Sequence, residues 1–185
     1  PAPPFITSTL QQEAWRKLRF TAQRTMSIAQ QLYEGITLGE EGSVGLITYI
    51  RTDSTHVAAS AIAETRDYIN SKYGARFLPS HPRYFGKKGK WAQEAHEAIR
   101  PTKIYREPDQ VRPSLKPEQF KLYELIWKRM VASQMAAAFL DVTTVDVKAK
   151  CPEPQNEYLL RTISSIVKFP GFISLYSEGK DEGIE

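Results

Sequence analysis

The ten residues Gly45–Ser54, GLITYIRTDS, predict a short strand that ends at a helix cap. Leucine and isoleucine in this stretch favour an extended, partly buried backbone, and side chains along a strand alternate between its two faces. Tyr49 and Arg51 are two residues apart, so a phenol and a guanidinium are expected on one face. Asp53 or Ser54 is expected to cap the next helix, whose positive N-terminal end would then lie close to both groups. This arrangement suits a phosphate group.

A tyrosine and an arginine at this spacing also fit a packed aromatic ring beside a solvated cation. The whole string is more specific, because GLITYIRTDS closely resembles the active-site segment of the type IA DNA topoisomerases. In that family the tyrosine attacks a DNA phosphodiester, and the resemblance implies Tyr49 as the nucleophile and Arg51 as the cation that steadies the scissile phosphate. It further implies that Thr52 and Asp53 contact DNA. Ile50 stands where many relatives carry methionine, an apolar residue of similar volume.

Two strings upstream of the tyrosine extend this resemblance. PPFITSTLQQEA at residues 3–14 and TMSIAQQLYEG at residues 25–35 resemble the helical region that precedes the tyrosine in type IA enzymes. The resemblance implies that Gln30 and Glu34 line the site as DNA-binding residues. The residues alone fit ordinary exposed helix positions equally well.

The spacing of apolar residues predicts four helices that share one core. The first is expected to be capped by Ser8, and the second to run from Ala22 to about Gly35. Tyr33 is expected on the buried side of the second helix, and the close joint between the two helices favours a helix-turn-helix arrangement. A third helix is predicted to end at Gly74, and the last long helix to begin at Pro117.

A second signature, AHEAIRPT, occupies residues 95–102. The four-residue spacing predicts His96 and Arg100 on one face of a helical turn, which Pro101 would end. The string begins like the zinc-protease motif His-Glu-x-x-His, but its fifth position is an arginine, which cannot ligate a metal, so zinc is excluded. By themselves the two side chains fit surface positions. The resemblance to type IA enzymes implies instead that both contact the DNA backbone near the tyrosine.

The apolar period changes from about 3.6 to 2 near residue 138, which indicates strands after the helices. Strands are expected from Asp141, over residues 158–169 and over residues 172–176. We therefore predict an α+β fold with a mainly helical, tyrosine-bearing domain over residues 1–137 and part of an antiparallel β domain over residues 138–185. The resemblance implies that these strands belong to the arch that serves type IA enzymes as a hinge.

Composition is that of a globular protein, with 185 residues, 41% hydrophobic, 25% charged and a net charge of +4. The basic excess permits a polyanionic partner without requiring one, and residues 75–93 predict an exposed basic loop. Cys151 is the single cysteine, so an internal disulfide is excluded. No apolar run approaches the ~20 residues of a membrane span, which favours a cytoplasmic protein without membrane contact. The resemblance further implies that the protein is a monomer and that it associates with the nucleoid.

The resemblance implies an enzyme that cleaves one strand through a 5′-phosphotyrosine link, passes a strand and reseals the break without ATP. Its partners would be single-stranded DNA and negatively supercoiled duplex DNA. Type IA enzymes bind Mg²⁺ through an Asp-x-Asp-x-Glu cluster, which these 185 residues do not contain. The chain begins Pro-Ala-Pro-Pro without methionine, so it is expected to be a fragment that is inactive alone, with Mg²⁺ bound by another domain of the parent.

Two other functions are compatible with parts of the sequence. A non-enzymatic helix-turn-helix module would bind DNA through a basic recognition face, but the basic residues here are scattered and the tyrosine segment would have no role. A tyrosine-dependent phosphodiesterase or recombinase would surround its nucleophile with several arginines and histidines, which are not evident in this chain.

Overall fold

The computed structural model describes residues 1–85, 96–151 and 156–179. The helices are, in chain order, α1 (Thr7–Leu18), α2 (Ala22–Glu34), α3 (Ala59–Tyr73), the single-turn α4 (Pro108–Val111) and α5 (Pro117–Gln134). The strands are β1 (Ile36–Thr37), β2 (Ser43–Val44), β3 (Phe139–Cys151) and β4 (Asn156–Phe169). Helices combined with antiparallel strands confirm the predicted α+β class.

Helix α5 lies at the centre of the helical part, because α1, α2, α3 and α4 all pack against it. Its residues Leu122 and Ile126 are fully buried, as are Leu10 of α1, Leu32 of α2 and Ile69 of α3. Each such side chain contributes on the order of 1.5–3 kcal/mol through removal from water. None of the helices in the described ranges is long and apolar enough to cross a membrane.

The predicted helix ends agree with the structure where they rest on a local signal. Helix α3 ends before Gly74, whose φ of 88° is a left-handed value that glycine adopts without strain, and α5 begins at Pro117. The predicted Ser8 cap is wrong. The N-cap of helix α1 is Ile6, two residues before Ser8, and the hydroxyl of Thr9 accepts the backbone N–H of Ile6 at 3.0 Å.

Strands β3 and β4 form a two-stranded antiparallel ribbon. Successive cross-strand pairs lie on opposite faces of a ribbon, and the adjacent pairs Val147–Leu160 and Lys148–Leu159 place apolar groups on both. Val147, Leu159 and Leu160 are all exposed. The ribbon therefore carries apolar side chains on two faces that the described residues leave uncovered.

The third strand, predicted over residues 172–176, is wrong. The chain forms a 3₁₀ turn over Gly171–Ser174 and returns to the helices, where Tyr176 is buried. Gly171 has a φ of 47°, and a Cβ atom there would lie 2.5 Å from the carbonyl oxygens of Ala136 and Ala137. The apolar residues of this segment pack against the helices from a turn. In so short a stretch their spacing in the sequence also fits a strand, so it does not distinguish the two conformations.

Candidate active site around Tyr49

The segment that carries Tyr49 is extended and lies between β2 and α3. Its side chains alternate as predicted: Ile50 and Thr52 are buried, whereas Tyr49, Arg51 and Asp53 are exposed. It does not form a regular strand within a sheet, because its pairing is limited to an isolated antiparallel bridge. Long-range hydrogen bonds fix its backbone instead.

On one side, Thr48 is bonded to the second signature. Its N–H donates to the carbonyl of Arg100 at 2.9 Å, and its hydroxyl accepts the N–H of Arg100 at 2.9 Å. The same hydroxyl donates to the carbonyl of Ala98 at 2.7 Å. The residue before Tyr49 is thus held by three hydrogen bonds to a segment about 50 positions away in the chain.

On the other side, Thr7 at the start of α1 holds the residues after Tyr49. Its N–H donates to the carbonyl of Thr52 at 2.9 Å, and its hydroxyl accepts the N–H of Thr52 at 2.9 Å. The carbonyl of Ile50 lies 2.8 Å from the same hydroxyl and accepts from it. Neither Thr7 nor Thr48 was among the predicted site residues, because their partners are remote in sequence and no local pattern marks them.

The last turn of α2 approaches the Tyr49 segment closely at Gly45. The N–H of Leu46 donates to the carbonyl of Leu32 at 2.8 Å, and a Cβ atom on Gly45 would lie 2.7 Å from the carbonyl oxygen of Tyr33. Because Gly45 has no Cβ atom, the end of α2 can approach this closely, and Tyr33 lies next to Tyr49.

The Tyr49 ring is 40% exposed and contacts two other rings. The Tyr33 ring lies at a centroid distance of 5.6 Å and an angle of 65°, and the His96 ring at 5.7 Å and 31°. The first is an edge-to-face contact of the kind that fixes ring orientation. The expected burial of Tyr33 is wrong, since this side chain is 38% exposed and packs on Tyr49 rather than in the core. His96 lies beside Tyr49, as the resemblance implied.

Arg51 and Asp53 line an open cleft of about 430 Å³ together with the start of α1. No hydrogen bond joins the phenol of Tyr49 to the guanidinium of Arg51 in the part of the chain that the structure describes. Thr52 is buried, and its hydroxyl accepts the N–H of Ser54 at 3.0 Å. The DNA-binding roles of these residues stay predictions.

The helix cap predicted at Asp53 or Ser54 is wrong, because α3 begins only at Ala59. The hydroxyl of Ser54 accepts the N–H of His56 at 3.1 Å, which continues the turn begun by the Thr52 hydroxyl. Hydroxyl side chains that bond nearby backbone compete with helix formation. The positive end of α3 is therefore displaced along the chain from the predicted position.

The helical turn predicted for the second signature is also wrong. Ile99 forms an antiparallel bridge with Phe5, and Pro101 forms one with Ile47, so the backbone is extended. The proline itself disfavours helical geometry at Arg100. The N-terminal part of the expected basic loop lies in the described chain, while residues 86–95 lie outside it.

Glu97 engages most of the Arg100 guanidinium. Its Oε2 atom accepts from Nε at 2.9 Å and from Nη2 at 2.5 Å, while Nη1 donates to the carbonyl of Pro101 at 2.9 Å. The Arg100 side chain is only 13% exposed. Its predicted phosphate contact stays a prediction, and the remaining N–H groups are those available for it.

Gln30 and Glu34 are joined to each other on α2, with the amide of Gln30 donating to Glu34 at 2.6 Å. Their role as site residues stays a prediction. Within residues 1–85, 96–151 and 156–179 no three His, Cys, Asp or Glu side chains come together as a metal-binding group.

Comparisons with known proteins identify the family of this chain. A family model described as DNA topoisomerase matches residues 1–185. The chain belongs to this family, the type IA DNA topoisomerases. DNA topoisomerase 1 of Xylella fastidiosa (strain Temecula1 / ATCC 700964) is 57% identical over 181 residues, which cover 98% of this chain and 22% of that protein.

Two further relatives agree with this assignment. DNA topoisomerase 1 of Rickettsia felis is 49% identical over 185 residues, which cover all of this chain and 23% of that protein. The solved structure of full-length topoisomerase I from Thermotoga maritima matches with a TM-score of 0.79 at 36% identity, covering 100% of this chain and 29% of that one. The chain thus spans less than a quarter of the length of these two curated relatives.

Proposed function

We propose that this chain is the tyrosine-bearing part of a type IA DNA topoisomerase and that Tyr49 forms the covalent link to DNA. The observation that carries the proposal is the combination of an accessible phenol and a fixed backbone. Tyr49 is 40% exposed, while the residues around it are bonded to α1 on one side and to the second signature on the other. A nucleophile must be reachable by its substrate and held in a reactive geometry.

In the proposed reaction the Oη atom of Tyr49 attacks the phosphorus of one DNA strand. A bond between phosphorus and the phenolic oxygen forms as the bond from phosphorus to the 3′ oxygen breaks. The phenol gives up its proton to the solvent, and the departing 3′ oxygen takes one up. Because one phosphodiester replaces another, the reverse reaction reseals the strand without ATP. The family resemblance supports a link to the 5′ phosphate.

We assign Arg51 as the cation and His96 as the hydrogen-bond donor that contact the phosphate of the cleaved strand. Arg51 is exposed at the cleft beside α1, where a guanidinium can pair with phosphoryl oxygens and stabilise the charge of the transition state. The His96 ring lies against Tyr49, so its N–H can donate near the reacting group. Both side chains are exposed, which leaves them accessible to a strand.

The whole parent protein is proposed to pass a strand through the break and to relax negatively supercoiled DNA, as a monomer of the cytoplasm and nucleoid. The ribbon of β3 and β4 would be part of the hinge that opens for this passage. Its uncovered apolar faces support the proposal, since a two-stranded ribbon needs further packing to be stable. A helix-turn-helix module without catalysis leaves the arrangement around Tyr49 without a purpose.

The test uses the full-length protein that carries this chain, with Mg²⁺ and a labelled single-stranded oligonucleotide, stopped with denaturant. A 3′ label should become attached to the protein, whereas a 5′ label should appear on a shorter free strand. Tyr49→Phe should abolish both products, because the phenyl ring fills the same space without the attacking oxygen. Tyr33→Phe, which alters the neighbouring phenol, should retain them.

Attachment of DNA in Tyr49→Phe would refute the role of this residue. Attachment of the 5′-labelled piece would refute the polarity. The 185-residue chain alone, tested in parallel on supercoiled plasmid, is expected to show no relaxation, because the acidic Mg²⁺ cluster of the family is not part of its sequence.

A further inference from the structure

We propose that Glu97 is a positioning residue for the DNA-cleaving site, which fixes the guanidinium of Arg100 and the chain leading into α3 relative to Tyr49. The inference rests on the proposed function and deepens it. It concerns a carboxylate that lies between the two predicted DNA-binding residues of the second signature and that the reaction itself does not use.

The first contact of Glu97 is with Arg100. Two guanidinium nitrogens of Arg100 donate to Oε2 of Glu97, and the third donates to the carbonyl of Pro101. An arginine carries five N–H groups in a planar fork, so three are engaged and two are left for a ligand. The fork is therefore held in one plane before any DNA binds, and its charge is balanced by a carboxylate.

The second contact of Glu97 is with the start of α3. Its Oε1 atom accepts the N–H of Ala58, the N-cap residue of α3, at 2.8 Å. Next to it, the N–H of Ala98 donates to the carbonyl of His56 at 2.8 Å. One carboxylate thus joins the second signature to the chain that links the Tyr49 segment with α3.

Glu97 is connected to the surroundings of Tyr49 through its two neighbours in the chain. The residue before Glu97 is His96, whose ring lies 5.7 Å from that of Tyr49. The residue after it is Ala98, whose carbonyl accepts the hydroxyl of Thr48 at 2.7 Å. A shift of Glu97 would therefore move groups on both sides of the nucleophile, and a displacement of about 1 Å can cost roughly 100-fold in rate.

The charge of Glu97 makes this role distinguishable from a purely structural one. Removing the carboxylate leaves the positive charge of Arg100 unbalanced, which favours binding of a polyanion. It also frees the guanidinium to leave its plane, which disfavours the reaction. We therefore expect binding and cleavage to change in opposite directions, whereas a variant that merely loosens the fold would weaken both.

The experiment uses Glu97→Gln in the full-length protein. Glutamine keeps an oxygen for the N–H of Ala58 but loses the charge that pairs with Arg100. The matched control is Glu118→Gln. Glu118 lies at the start of α5, and its carboxylate pairs with Arg24 of α2. Single-stranded DNA affinity is measured by fluorescence anisotropy, cleavage by single-turnover adduct formation, and folding by thermal midpoint.

For Glu97→Gln we expect a Kd equal to or lower than that of the unmodified protein and a cleavage rate at least about 10-fold lower. Glu118→Gln should match the unmodified protein in both. In a background of Arg100→Gln, adding Glu97→Gln should lower the rate by less than about threefold, because residues that act as one unit are non-additive.

An unchanged cleavage rate in Glu97→Gln would overturn the proposal, as would parallel losses of affinity and rate. A full 10-fold loss on top of Arg100→Gln would show that Glu97 does not act through the guanidinium and would also overturn it. These outcomes are separate from failure of the proposed function, which would appear as an adduct that survives Tyr49→Phe.

Discussion

Replacing Thr48 with valine should destabilise the chain, because this hydroxyl joins two segments that are remote in sequence. Valine has nearly the same shape and the same β-branched backbone preference, so the substitution removes little else. The hydroxyl donates to the carbonyl of Ala98 at 2.7 Å and accepts the N–H of Arg100 at 2.9 Å. Each bond contributes about 1 kcal/mol net, and a partner left without water adds about 1–3 kcal/mol. Because Thr48 is half-buried, we expect a loss of about 2–3 kcal/mol in the free energy of unfolding.

The assay is urea unfolding of the purified 185-residue chain followed by circular dichroism. With an m-value of about 2 kcal/mol per molar, the midpoint of Thr48→Val should fall by about 1–1.5 M. Thr143→Val, on an exposed position of β3, is the control for the change in chemistry and should shift the midpoint by less than about 0.25 M. A Thr48→Val midpoint within the range of this control would refute the inference that the hydroxyl holds the Tyr49 segment.

Two further predictions concern charge. The first is measured by anisotropy titrations of the chain with single-stranded DNA at several salt concentrations. Arg51→Ala should lower the slope of log affinity against log salt by roughly 0.7, and Arg100→Ala should lower it by less, because Glu97 already balances the charge of Arg100. Equal effects of the two substitutions would contradict the inference that Glu97 balances this charge. Burial tends to raise the pKa of Glu13, but the hydrogen bond from Tyr176 and neighbouring cations bring this pKa below its ordinary 4.5. The carboxylate therefore stabilises the fold above pH 4.5, and the difference in unfolding free energy between the unmodified chain and Glu13→Gln should shrink as the pH falls below that value; a difference independent of pH would contradict this.

The sequence was sufficient where a feature depends on neighbouring residues. The ends of α3 and α5 follow from a glycine and a proline, and the exposure of Tyr49 and Arg51 follows from the two-residue period of an extended chain. The helical turn at His96 failed for a related reason. Residues four apart share a face in an extended chain as well as in a helix, so this spacing does not separate the two conformations.

The remaining features of the site depend on contacts between distant residues. The hydroxyl of Thr7 bonds residues 43 and 45 positions away, and no short pattern announces such a partner. The contact between Tyr33 and Tyr49 requires the close approach of α2 at Gly45, which leaves a tyrosine from an apolar stripe on the surface. Family resemblance pointed to the two signature segments, and the hydrogen bonds that join them come from the fold.

The bonds that Thr7 and Thr48 make across the site have a consequence for how the chain folds. They bring together residues 5–7, 46–52 and 98–102, which are separated by about 40 to 90 positions, so closing these loops is entropically costly and should occur late. The backbone amides of Thr48, Thr52 and Arg100 should then exchange with deuterium as slowly as those of the buried helices, since breaking their hydrogen bonds requires these three segments to separate. The surface proposed to receive DNA would thus be among the last parts to form and would be lost in one step with the core.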